Sequence, residues 1–159
     1  MPIEYSLQLA KEYFHFSASH FTIFGAESRE WMHGHNYYLT LSLFGDRLED
    51  GCLVDIERLR PEVRQLCEEL DHQILLPAES PHLRVDQIGD VVQVSYGASE
   101  FRFPLSDVTL LPVNNITMEN LAHHFATAIW ERLAAPALSA IEVHLEETRG
   151  QRAGVRISK

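Results

Sequence analysis

In the stretch EWMHGHNYYL, residues 30–39, two histidines flank a glycine at the head of an aromatic and apolar run. Residues two apart on a strand point to one face, so the His33 and His35 imidazoles can address a single ion. Gly34 between them leaves the opposite face clear. Alone, such a pair is a weak metal signal. His20, which closes the preceding segment FSASH, strengthens it, because two paired strands bring a third imidazole to the same place. Three neutral imidazoles with a fourth position open form the ligand set of a catalytic zinc site, whereas structural sites are closed by four protein ligands.

Two further groups carry chemistry. Asp71 and His72, in LDH, suit proton transfer: the carboxylate orients the ring and stabilises imidazolium. The same pair also fits an ordinary helix end, where the dipole favours a histidine. In LEET, Glu146 and Glu147 are adjacent, so on a strand one faces each side. A carboxylate projecting into a pocket accepts two N–H donors from the edge of a guanidine-like ring; the alternative is a solvated strand end. His15, His82, His123, His124 and His144 have no evident partner.

The elements that must position these groups follow from periodicity. Alternation from Tyr5 to Phe16 predicts one long strand, and NYYLTLSLFGD a second, ended by Gly45-Asp46. The segment CLVDIERLRPEVRQLCEELDH shifts to a period near 3.6. Because proline is tolerated in a first turn but not in a helix interior, the helix is placed from about Pro61 to Leu70. Cys67 falls on its apolar face beside Val63, Leu66 and Leu70, as a small buried thiol. DVVQVSYGASEFRFPL reads as a hairpin turning at Gly97-Ala98. NNITMENLAHHFATAIWERLA has capping residues followed by a helical face of Met118, Leu121, Ala122, Phe125, Ile129 and Leu133. SAIEVHLEET is a last strand. The order strand, strand, helix, hairpin, helix, strand predicts an α+β fold, and the length of 159 residues predicts one domain over 1–159.

A formal net charge of -10 argues against nucleic acid or an anionic membrane as partner, since both are held by clustered cations. No apolar run approaches the roughly 20 residues of a membrane span. The N-terminus MPIEYSLQLAKEYF reads as neither a signal nor a transit peptide, so a cytoplasmic location is the expectation.

Taken in order, FSASH, HGHNYYLTL, GCLVDIERLR, LDHQIL, TMENLA and EET resemble the 6-pyruvoyl-tetrahydropterin synthase / 6-carboxytetrahydropterin synthase family, over about residues 5 to 150. The resemblance implies a tunnelling fold, a four-stranded antiparallel sheet with two helices on one face, to which this chain adds a hairpin within 85–103. It also implies a homo-hexamer with sites at subunit interfaces and a small-molecule pterin triphosphate substrate. His20, His33 and His35 match the Zn2+ ligands, and Glu147 matches the anchor for the pterin 2-amino and N3 edge. Asp71 and His72 match members of the proton-transfer set, while Thr117 and Glu119 lie where the pterin pocket begins.

One departure decides the chemistry expected. Family members that make pyruvoyl or carboxy pterins carry a catalytic cysteine shortly before His-Gly-His. Here that stretch is FTIFGAESREWM, without cysteine, and neither Cys52 nor Cys67 is placed to substitute. Arg29 stands at the usual thiol position, a candidate to meet phosphate, and Glu30 follows it, three residues before His33. Glu30 is the expected base, with Glu27 in reserve. A glutamate at this spacing resembles the branch that replaces dihydroneopterin aldolase in folate synthesis. That branch converts 7,8-dihydroneopterin triphosphate to 6-hydroxymethyl-7,8-dihydropterin by retro-aldol cleavage. A carboxylate suffices there, because the proton to be moved is on a hydroxyl acidified by zinc. The alternatives are a 6-pyruvoyl- or 6-carboxy-tetrahydropterin synthase with a replaced thiol (tetrahydrobiopterin or queuosine routes), and a zinc- and pterin-binding protein without turnover.

Overall fold

A computed structural model describes residues 1–133 and 135–159. The long N-terminal strand expected over Tyr5 to Phe16 is two strands, β1 (Tyr5–Leu9) and β2 (His15–His20). Both pair antiparallel with β3 (His33–Gly45), β1 with its C-terminal half and β2 with its N-terminal half. The break between them is a tight turn closed by Phe14 N–H on the Lys11 carbonyl at 2.9 Å, and it drops the fully buried Phe14 ring into the core.

Helix α1 spans Ile56–Leu70, beginning five residues before Pro61. The Asp55 side chain accepts the amides of Glu57 and Arg58 at 3.0 and 3.3 Å and so starts the helix early. Pro61 sits inside it, tolerated because Leu59, Val63, Leu66, Cys67 and Leu70 continue one buried face across it.

After α1 the chain forms β4 (Gln73–Pro77), then β5 (Arg84–Ile88), β6 (Val91–Tyr96) and β7 (Ser99–Pro104). The expected hairpin is thus the second half of a three-stranded sheet β5-β6-β7. A short β8 (Val108–Leu111) leads to α2 (Met118–Arg132), capped by the Thr117 hydroxyl, which accepts from Asn120 N–H at 3.2 Å. β9 (Leu138–Thr148) then turns at Gly150, φ +88°, into β10 (Gln151–Ser158), a strand that periodicity had not indicated.

The main sheet runs β10-β9-β3-β2-β4-β8, with β1 beside β3. The antiparallel run β10-β9-β3-β2 answers to the four-stranded antiparallel sheet that the resemblance implied, β1 adds a fifth antiparallel strand, and β4 and β8 extend the sheet in parallel register. Both helices cover one face, packing Leu66, Leu121 and Phe125 onto Phe16, Leu39, Leu41 and Val143. A second cluster joins Phe21, Ile23 and Leu76 to Val92, Val94 and Tyr96 of the three-stranded sheet. Among the described residues, no helix is long and apolar enough to cross a membrane.

Phe16 is the joint of the larger core: its ring stacks on Tyr37 at 4.8 Å and meets Phe125 at 5.4 Å. Phe16→Ala should lower the free energy of unfolding by about 3–5 kcal/mol, read from the midpoint and slope of a urea transition.

Candidate functional site

Strand alternation fixes which side chains meet. On β2, Phe16, Ala18 and His20 face the helices, and on β3, His33, His35, Tyr37 and Leu39 do the same; His20 and His33 are direct cross-strand partners. The ligand-capable atoms of His20, His33 and His35 all lie within 4.8 Å of one another. Ring centroids are 4.7 Å apart for His20–His33 and His33–His35, and 5.5 Å for His20–His35.

Two of the rings are oriented by main-chain carbonyls. His20 Nδ1 donates to Ile116 O at 3.2 Å, and His33 Nδ1 donates to Trp31 O at 2.7 Å. Each bond leaves Nε2 as the deprotonated nitrogen facing the cluster. His20 Nε2 is buried with no hydrogen-bond partner. An orphaned buried nitrogen in a cluster of three imidazoles fits a divalent cation such as zinc, which all three would hold.

Electrostatics favour the neutral, ligating form. Burial, and then the neighbouring His33 and His35, push the His20 imidazole down to about 4, against the opposing Ile116 hydrogen bond and Glu30.

Two carboxylates border the cluster. Glu30 Oε2 lies 3.9 Å from His33 Nε2 and accepts the Thr22 amide at 3.0 Å. Burial alone would raise its carboxyl; the hydrogen bonds from Thr22 and the imidazoles of His33 and His20 outweigh that and hold it below the usual range. Glu147 Oε2, only 14% exposed, lies 3.8 Å from His35 Nε2, while Glu146 N-terminal to it takes the other face. Glu27 is exposed in the turn closed by Phe24 N–H on Ser28 O, away from the imidazoles.

Asp71 and His72 form a pair at 2.8 Å, anchored when Asp71 Oδ1 accepts Ser17 N–H, also at 2.8 Å. Burial raises the Asp71 carboxyl, but the Ser17 amide and His72 prevail and lower it. His72, 82% exposed, lines a cleft with His35 and with Ser17, Ser19, Gly34 and Asn36, the last four at strand positions that alternate away from the imidazoles. Among the described residues, no hydrogen bond or ion pair joins Asp71 or His72 to Glu30 or the cluster. Thr117 is committed to capping α2, and Glu119 is exposed in its first turn.

Arg29, the candidate to meet phosphate, is held against aromatic rings. Its guanidinium lies over the rings of Phe101, Phe21 and Tyr96 at 4.8, 5.2 and 5.9 Å. Cys67 is buried in α1, its thiol pushed up to about 12 chiefly by burial, and Cys52 is exposed on the loop before α1. Sequence reasoning missed Thr22, Asn115 and Ile116. The last two act through a side-chain amide and a carbonyl in a stretch that reads only as helix capping, so no signal at the level of residue type marks them.

Comparison with known proteins places this geometry. A family model described as 6-pyruvoyl tetrahydropterin synthase matches residues 8–157. A Methanocaldococcus jannaschii protein, provisionally named 6-carboxy-5,6,7,8-tetrahydropterin synthase, is 35% identical over 145 residues, covering 89% of this chain and 88% of that protein. A Pyrococcus horikoshii protein of the same provisional name is 29% identical over 133 residues, covering 83% and 79%. The 6-pyruvoyltetrahydropterin synthase of Plasmodium vivax, solved in a form where a glutamate described as a catalytic residue is replaced by alanine, superposes with a TM-score of 0.92 at 28% identity, covering 99% of each chain.

The His20 environment predicts how the metal-free protein responds to acid. Above pH 6.5 the ring is neutral folded and unfolded and contributes nothing. Between 6.5 and about 4 the unfolded chain takes up a proton that the folded one refuses, so stability falls as pH falls. Unfolding midpoints measured in chelator should reveal a loss of about 2–3 kcal/mol across that window, absent from His20→Gln.

Proposed function

Because the chain belongs to the 6-pyruvoyl tetrahydropterin synthase family, we propose that it transforms the side chain of 7,8-dihydroneopterin triphosphate with Glu30 as general base. The observation that carries this is the Glu30 carboxylate, hydrogen-bonded to Thr22 and 3.9 Å from His33, beside the imidazole cluster and without a cysteine nearby. The Plasmodium vivax relative, whose catalytic residue is also named as a glutamate, supports it.

His20, His33 and His35 would hold zinc, which supplies a Lewis acid that makes substrate hydroxyls more acidic. The chain's own residues do the rest. Glu147 faces the cluster from β9 and accepts the pterin 2-amino and N3 hydrogens as a paired contact, orienting the side chain towards Glu30. Glu30, held below the usual carboxyl range, is ionised and ready to take a proton at neutral pH. Asp71 holds His72 for proton return. Their place on the sheet face turned away from the imidazoles supports a site completed where copies of the chain meet, as in a hexamer.

The relatives' names favour a pyruvoyl- or carboxy-tetrahydropterin product, and that reading takes precedence over the retro-aldol reaction expected from sequence. Cleavage to 6-hydroxymethyl-7,8-dihydropterin is the second reading, favoured by the chemistry of the base. A carboxylate this acidic is weak for a C–H proton but adequate for a hydroxyl. In that reaction Glu30 takes the C2′ hydroxyl proton, the C1′–C2′ bond breaks to leave a C2′ aldehyde, and the electron pair passes into the ring until C1′ is reprotonated.

Zinc-loaded protein incubated with dihydroneopterin triphosphate, and its product identified by chromatography and mass spectrometry, decides between them. A pyruvoyl or carboxy product supports the first reading and a hydroxymethyl product the second. Bound but unchanged substrate would mean a pterin-binding protein. Glu30→Gln should cut turnover by at least about a hundredfold while zinc content and pterin binding persist, and Glu27→Gln should leave the rate unchanged.

A further inference from the structure

Glu30 sits on the connection between β2 and β3, not on either strand, although the groups around it are strand-borne. Loops place reacting groups less well than strands do, so something must fix this one. Part of the answer is local. Glu30 N–H donates to Thr22 O at 2.9 Å while Thr22 N–H donates to the Glu30 carboxylate. Asn115 holds the base of the loop, accepting Ile23 N–H at 3.0 Å and donating to Ile23 O at 2.9 Å.

The far side is held by the three-stranded sheet. Arg29 Nη1 donates to the Glu30 carbonyl at 2.6 Å, fixing the peptide plane that follows the base. The guanidinium that makes this bond is itself stacked against Phe101 of β7, Tyr96 of β6 and Phe21. Tyr96 reaches the loop a second time, its hydroxyl donating to Gly25 O at 2.6 Å. Phe101 and Phe21 also stack on each other, 5.7 Å apart. A flat, delocalised cation can lie on rings and donate in its own plane at once, which an ammonium on a flexible stem cannot.

We infer that Arg29 is a positioning residue for Glu30, and that the β5-β6-β7 sheet serves the reaction by clamping Arg29 through Phe101 and Tyr96. This rests on Glu30 being the base of the proposed reaction. The imidazoles and Glu147 stand on the strands β2, β3 and β9, and only His33 is tied to this loop, through its bond to Trp31 O, so metal and pterin binding depend on the clamp far less than Glu30 does.

The test compares Arg29→Met, Arg29→Lys and the milder Tyr96→Phe with the unaltered protein. In each, kcat for dihydroneopterin triphosphate should fall, by about ten- to a hundredfold for the two Arg29 variants and less for Tyr96→Phe, while KM and zinc stoichiometry hold within twofold. Amide exchange by mass spectrometry should quicken over residues 21–32 and stay unchanged on β3 and β9. In a Glu30→Gln background, Arg29→Met should cost no further rate, because Arg29 acts only through Glu30. Unchanged kcat and exchange in all three variants, or a loss that recurs in full in that background, overturns the inference while leaving Glu30 as base. If Glu30→Gln itself keeps full turnover, the base assignment fails, and the clamp's function with it.

Discussion

Three imidazoles held within 4.8 Å of one another are the constraint around which the molecule is built. Such a cluster resists protonation, since each added charge is desolvated and repelled by the next, and the depressed His20 titration records this. It also leaves His20 Nε2 buried without a partner, a cost that a bound cation would remove. The rings stay in place because β2 and β3 pair in strict register from His15↔Tyr38 to His20↔His33, and the two helices press that pair from one side. Ile116 O links the helical layer to the cluster directly: it accepts from both His20 Nδ1 and Thr22 Oγ1, just before the α2 cap.

The second core has a different task. The Phe21–Tyr96 cluster contains none of the three histidines, yet it encloses the guanidinium of Arg29, the residue that precedes Glu30. The three-stranded sheet therefore reads as support for the loop rather than as decoration on the main sheet. It also explains why an arginine tolerates so apolar a setting: the ring faces are electron-rich, and its N–H groups still reach a carbonyl.

Much of this was legible in the residues. His20, His33 and His35 were recoverable because alternation is a strict rule on strands and the triad uses it twice. Glu147 over Glu146 follows from the same rule once the sheet face is known. Glu30 over Glu27 depended on knowing that Ile23 bridges Arg29, which brings Glu30 back to Thr22 and turns Glu27 out at the tip. What failed was local reading overruled by tertiary context. Pro61 suggested a helix start, but the Asp55 cap and the continuous buried face carried α1 past it. The alternation across residues 5–16 is genuine, yet the burial of Phe14 breaks it into two strands. β10 does alternate, with Ala153, Val155 and Ile157 inward against Gly154, Arg156 and Ser158, but three apolar residues broken by a glycine make a signal short enough to pass over.

The position of Asp71 and His72 gives the last structural constraint. Their anchor is the Ser17 amide, and Ser17 also presents its hydroxyl to Asn36 at 2.6 Å on the cleft side of the sheet. The imidazoles project from the same two strands to the other face, and among the described residues no hydrogen bond or ion pair joins His72 to Glu30. His72 N–H is tied to Ser17 O at 2.6 Å and its backbone is held at φ +60°, which fixes the ring's point of attachment beside the edge of β2. Strand alternation thus sends the imidazoles to one face of the sheet and the Ser17, Ser19 and Asn36 side chains beside His72 to the other.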